Sequence, residues 1–170
     1  MNIKLKECHG WRRLWNTVIR PEVYDRVFDD RITDRKQIKA KVRAIAARPG
    51  NHVFAVYWQR KFAGCFVLYA LGDGVFEVHT LLTKEFHGLF AVRIGRFSIQ
   101  RVFSLGWCDK LTSYCPENLP ETYLFARMCG FRHVGKYPFD WIKNGVRYAM
   151  KAVEITKQDL HLTEEDMCRC

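Results

Sequence analysis

The chain predicts a mixed α+β domain (α/β mixed), with a central, mainly antiparallel sheet of about seven strands flanked by about four helices. Three observations carry that expectation. The first third repeats apolar residues at helical spacing. From His52 to Leu82, three runs rich in β-branched and aromatic residues are separated only by short turns. Between Lys110 and Tyr137, a strand-like run, a short helix with its own start and stop signals, and a second strand-like run follow one another directly.

Ile3 to Cys8 is expected as the first strand. Trp11, Leu14, Trp15, Val18 and Ile19 form one buried stripe of a helix that Pro21 stops or restarts. In the next helix Asp34 with Gln37 makes a capping pair, Ile38, Val42 and Ile45 share a face, and Pro49-Gly50 ends the segment. Val53 to Trp58, Phe62 to Leu71 and Val75 to Leu82 then form a meander, with turns at Gln59-Arg60-Lys61 and Gly72-Asp73-Gly74. Phe86 to Leu105 returns to helical spacing, placing Phe90, Ile94 and Phe97 inward.

Leu111 to Cys115 reads as a strand. In the helix after it, Asn118 is the expected cap, Pro120 suits a first turn that needs no amide donor, Glu121 stands three residues after the cap, and Gly130 supplies a left-handed stop. Phe131 to Tyr137 and Val146 to Ile155 complete the strands, with a polar loop from Asp140 to Gly145. One domain over residues 1–155 and a peripheral tail over 156–170 are expected.

A chain of 170 residues with 48% hydrophobic residues supports one substantial core. No run approaches the roughly 18 apolar residues that span a bilayer, and the start lacks a signal-peptide block, so a cytoplasmic protein is expected. The seven cysteines are odd in number and scattered, which favours reduced thiols. The histidines form no ligand pair, and Cys168-Arg169-Cys170 lacks zinc-site spacing, so no metal is expected. A net charge of +10, concentrated in the first third, suits solvated helix faces or a phosphate-rich partner.

The order of elements over residues 1–155, and above all the segment from Leu111 to Phe131 with its Asn-opened helix and Gly-Phe ending, resembles the GCN5-related N-acetyltransferase superfamily. Small phage-encoded members, some recorded as head-assembly proteins, look most similar. The resemblance implies acetyl-coenzyme A in a wedge between the strands Val75 to Leu82 and Leu111 to Cys115. Its pantetheine arm would follow the backbone edge at Leu81 and Leu82, with Asn118 across the wedge. Its pyrophosphate would meet the amides around His87, Gly88 and Leu89. The superfamily writes that loop as Gln or Arg, two residues, Gly, one residue, Gly or Ala. Here it is Glu85-Phe86-His87-Gly88-Leu89-Phe90, so only Gly88 fits, and Glu85 and Phe90 oppose tight binding.

Acetyl transfer to an amine needs a base for the ammonium proton and an acid for the leaving thiolate. Glu77 and His79 alternate along one strand and so share a face, as base candidates or as an ordinary polar face. The tyrosine that the superfamily places four residues before the glycine of Gly-Phe is Ala126 here, leaving Tyr123 and Tyr114 as substitutes or as core aromatics. Cys115 reads as a buried structural thiol.

Three functions stay open. One is an N-acetyltransferase acting on an unspecified amine acceptor. Another is a protein that keeps the fold and binds phage structural proteins in virion assembly. The third is nucleic-acid binding through Arg12, Arg13, Lys36, Lys39 and Arg43 on two adjacent helices.

Overall fold

The computed structural model describes residues 2–160. Seven strands form one sheet in the order β1-β2-β3-β4-β5-β7-β6. The strands are β1 (Ile3–Glu7), β2 (His52–Trp58), β3 (Lys61–Gly72), β4 (Val75–Leu82), β5 (Lys110–Pro116), β6 (Arg132–Lys143) and β7 (Val146–Thr156). The helices are α1 (Arg12–Val18), α2 (Pro21–Val27), α3 (Arg35–Ala47), α4 (Leu89–Ser104) and α5 (Pro120–Met128), with a 3-10 turn at Lys84–Phe86. Pro21 therefore opens a helix of its own, since its fixed φ suits a first turn and its missing amide costs nothing there.

Every strand pair is antiparallel except β4 with β5. Strand alternation sends the sheet's apolar residues to two cores. One packs Phe66, Leu68, Val78 and Leu111 against Ile94, Ile99, Val102 and Phe103 of α4 and Ala126 of α5. The other packs Val53, Cys65, Val67 and Leu81 against Leu14, Val18, Val23, Ile38 and Val42 of α1, α2 and α3.

The local signals explain most of the elements. Asp34 accepts a hydrogen bond from the Lys36 amide, which caps α3. At the end of α5, Gly130 adopts φ 99°, its amide bonds the Arg127 carbonyl, and the Phe131 amide reaches back to Ala126. This is the paired closure that a left-handed glycine permits.

Two expectations are corrected. Asn118 does not cap α5: the cap is Leu119, at φ -121° and ψ 65°, and no side chain bonds the first turn. The turn that closes Leu119 onto Pro116 starts the helix one residue later than the Asn signal suggests, and Thr122 bonds the Leu119 carbonyl instead. The segment from Asp140 to Lys143 is strand rather than loop. β6 continues past an irregularity between Tyr137 and Trp141 and turns only at Asn144-Gly145, both at positive φ, as in a tight hairpin. The loop after α2 holds this hairpin in place. The Asp30 amide bonds the Ile142 carbonyl, Arg31 bonds the Asp140 carbonyl, and Lys143 bonds the Phe28 carbonyl.

Residues 157–160 make a helical turn whose Leu160 packs on the α4 core. The acidic run Glu164-Glu165-Asp166 and the two terminal cysteines lie outside the described residues.

Candidate functional site

The parallel ladder between β4 and β5 lasts only three pairs, Val75 with Lys110, Phe76 with Leu111 and Glu77 with Thr112. Beyond Glu77 each strand stays bonded to its other neighbour, β4 to β3 as far as Leu82 opposite Gly64, and β5 to β7 as far as Pro116 opposite Met150. The two strands are thus pulled apart and a wedge opens between them. Gly64 is needed for the β3–β4 side of this arrangement: at φ +147°, a Cβ there would stand 2.0 Å from the Leu81 carbonyl oxygen. Leu81 and Leu82 bury their side chains in opposite cores, so what they turn to the wedge is backbone.

At the end of β4 the chain makes its 3-10 turn, passes Gly88 at φ 69° and ψ -136°, and enters α4. The first intrahelical bond is from the Val92 amide to Gly88, and no side chain caps the helix, which leaves the amides of Leu89, Phe90 and Ala91 as donors without helical acceptors. Nothing lies within 4 Å of where a Gly88 Cβ would stand. His87 bonds the Leu82 carbonyl through Nε2 at 3.2 Å, which fixes the loop against the strand end. Phe90 turns its ring edge-on to Trp58, 5.2 Å between centroids, while Glu85 is exposed. Across the wedge, just after β5, the Asn118 side-chain oxygen is buried with no hydrogen-bond partner.

Glu77 and His79 do share a face. His79 Nε2 lies 2.9 Å from Glu77 Oε1, but off the hydrogen-bonding direction, so the contact is a close charge–polar approach in which that buried nitrogen has no aligned partner. Tyr69 stands opposite Glu77 in register and tilts over the His79 ring at 4.7 Å. Thr112 pairs with Glu77, so Tyr114, two residues on, looks out on the same side of the sheet. Its ring lies 3.9 Å from that of Tyr137, which in turn meets Phe139 at 5.3 Å. Burial first, and then the Glu77 carboxylate, push the Tyr69 phenol well above its ordinary range. Burial, Glu77 and Tyr114 also raise the pKa of Tyr137. Both phenols therefore hold their protons at neutral pH.

The structure thus brings Glu77, His79 and Tyr114 together and adds Tyr69 and Tyr137. Tyr123 lies with the α4–α5 core on the other side, its ring edge-on to His133 and 4.8 Å beneath the Lys151 ammonium. Tyr69 had no direct signal in the sequence, because the turn that pairs Gly72 with Val75 would by itself set Ala70 opposite Glu77, and the irregularity between Ala70 and Gly72 brings Tyr69 there instead. Tyr137 had none, since β6 reaches β5 only through β7. Cys115 is buried, and burial pushes its thiol up to about 11 despite Thr122 and Lys151, so it is no thiolate nucleophile.

A mainly antiparallel sheet with one short parallel contact, an open wedge at that contact and an uncapped helix beyond it define the N-acetyltransferase fold, and solved structures agree. The spermidine N-acetyltransferase of Vibrio cholerae, solved in complex with CoA and spermine, superposes with a TM-score of 0.75 at 15% identity, covering 92% of this chain and 96% of that one. A ribosomal L7/L12 alpha-N-protein acetyltransferase in complex with coenzyme A gives 0.72 at 14%, covering 92% and 94%. The Salmonella typhimurium acetyl transferase that modifies the N-terminal serine of L7/L12 gives 0.72 at 13%, covering 92% and 95%. By sequence the chain belongs to the family described as "Protein of unknown function (DUF2824)", which matches residues 23–165. No curated protein matches the chain.

Proposed function

We propose that this protein binds a coenzyme A thioester in the wedge between β4 and β5 and transfers its acyl group, acetyl in the similar structures, to an amine. The observation that carries this reading is the three-pair β4–β5 ladder opening onto unpaired amides at the start of α4, with Glu77 and His79 beside the opening. The residues present fit such a group. The α4 amides and helix dipole suit a pyrophosphate, open space beside Gly88 admits it, and the partnerless Asn118 oxygen can accept a bond from an amide of the pantetheine arm. Phe90, which the sequence sets against binding, is drawn off to Trp58. Glu85 remains an unfavourable charge near the phosphate loop.

When bound, coenzyme A supplies a thioester carbon open to attack. Glu77 would take the proton of the acceptor ammonium, directly or through water, leaving a neutral carboxylic acid and a neutral amine, with His79 beside it positioning the carboxylate. Tyr114 and Tyr137 present phenol groups on the same face, and either would supply a proton to a leaving thiolate.

Calorimetric titration with acetyl-coenzyme A and coenzyme A tests the reading, with Gly88→Glu as the site control and its fold checked by thermal melting. Binding that the folded variant loses supports the proposal, and Glu77→Gln should then cut turnover about 100-fold or more in an acceptor screen. No binding at millimolar ligand overturns it and favours a protein that acts through its surface alone.

A further inference from the structure

We infer that the face formed by α1 and α3 is a docking surface for double-stranded nucleic acid, held through its phosphates without reading sequence. α1 contributes Arg12, α3 contributes Arg35, Lys36, Lys39, Lys41 and Arg43, and neither helix contains an acidic residue; Arg13 of α1, expected on this face, instead donates to the Tyr57 hydroxyl and lies over the Tyr57 and Phe62 rings. The nearest acid in sequence, Asp34, is turned back to cap α3. Among the described residues, acids elsewhere form ion pairs with Arg, Lys and His, and none of those pairs reaches a cation of α1 or α3.

Such crowding works against the fold, because Arg35, Lys39 and Arg43 repeat every four residues and like charges at that spacing repel. Tryptophan faces hold them in place instead. Arg43 lies 4.4 Å and Lys39 5.3 Å from the Trp11 centroid, while Arg35 lies 5.7 Å from that of Trp15. A charge held over a ring loses mobility, which pre-organises it for an anion. Charge that served only solubility would be of mixed sign and scattered.

The shape of the face selects among polyanions. Ala40, Ala44 and Ala47 are exposed at helical spacing, so the outer surface of α3 is low between its cations and lets a rod-like polyanion come close. None of the molecule's exposed large apolar side chains belongs to α1 or α3, so the face lacks the apolar centre that a protein partner would bury. Both Trp rings already carry cations, so they are not free to stack unpaired bases, and this favours a duplex over a single strand.

Fluorescence anisotropy with a labelled random-sequence DNA duplex, read across a salt series, tests the inference. The full chain should bind, with affinity falling steeply as salt rises. The triple variant Lys36→Gln, Lys41→Gln, Arg43→Gln should bind more weakly by about tenfold or more at low salt. Its slope of log affinity against log salt should be shallower by about 2 to 3, as expected for three lost phosphate contacts. Arg60→Gln, Lys61→Gln, Arg101→Gln removes equal charge elsewhere and should keep the wild-type slope. All six positions are exposed, and an unchanged melting temperature verifies each fold. Absence of saturable binding at low salt, or an unchanged slope in the first variant, overturns the proposal. So does competition by polyglutamate as effective as by duplex, which would assign the face to an acidic protein.

Discussion

The two faces of the sheet are built on different terms. On the α4–α5 side the contacts are almost wholly apolar, and Phe66, Ile94, Val102 and Phe103 are each sealed from solvent. On the α1–α3 side a smaller core of Leu14, Ile38, Val42 and Val67 gives way, at the wedge, to Glu77, His79 and a set of tyrosines. One side carries stability and the other carries polar groups poised without full hydrogen bonding. The contrast teaches why the wedge opens where it does: β4 is anchored by both cores, yet past Glu77 it has no strand partner on its β5 side.

The largest effect should come from the seam both faces share. Gly64→Ala places a methyl group against the Leu81 carbonyl at a backbone angle that favours glycine, so the variant is expected to lose about 4 kcal/mol or more, or to fail to fold, in urea denaturation. A variant as stable as the wild type would show that β3 and β4 are not held together there. Next, Phe103→Ala on the apolar face should cost about 3 to 5 kcal/mol, while Val42→Ala on the α3 side should cost about 1 to 3, measured by the same denaturation. Equal losses would break the comparison.

A smaller effect concerns Asp29, which helps fix the loop that straps the β6–β7 hairpin. Burial alone would raise its carboxyl pKa, but hydrogen bonds from Arg31 and the nearby guanidinium charge overcome this and lower it. The folded value therefore lies below the unfolded one. The stabilisation is complete above the ordinary carboxylate range and is lost as pH falls through the depressed folded value. Asp29→Asn should cost about 1 to 3 kcal/mol at neutral pH and should flatten the wild type's loss of stability under acid, followed by thermal melting at stepped pH. The smallest change in stability is expected from Glu77→Gln, within about 0.5 kcal/mol. Its signature is spectroscopic: removing the carboxylate should bring the Tyr69 and Tyr137 phenols down toward their ordinary range in a tyrosinate absorbance titration. An unmoved titration would separate Glu77 from the tyrosine cluster.

Much of the fold was legible because its signals are local. The meander from His52 to Leu82 is made of β-branched and aromatic runs broken by glycine or polar turns. α3 carries its own cap, and Gly130 closes α5 as its position before Phe131 suggests. Asn118 shows the limit. Its spacing before Pro120 and Glu121 reads as a cap, but the turn from Pro116 to Leu119 shifts the helix start by one residue and leaves the side-chain oxygen buried without a partner. The hairpin at Asn144-Gly145 had a strong dipeptide signal. It was obscured because the strand before it contains Pro138 and Asp140, which read as loop until the loop after α2 binds them.

The sequence by itself determined the class of fold and that Glu77 and His79 share a face, because each of these follows from patterns along single segments. Tertiary structure alone decided that Tyr137 stacks on Tyr114, that Tyr123 lies on the opposite face, and that Trp11 and Trp15 hold the cations of α3. Those contacts join residues far apart in the chain, and their geometry is set by strand order and helix packing, which no local pattern encodes.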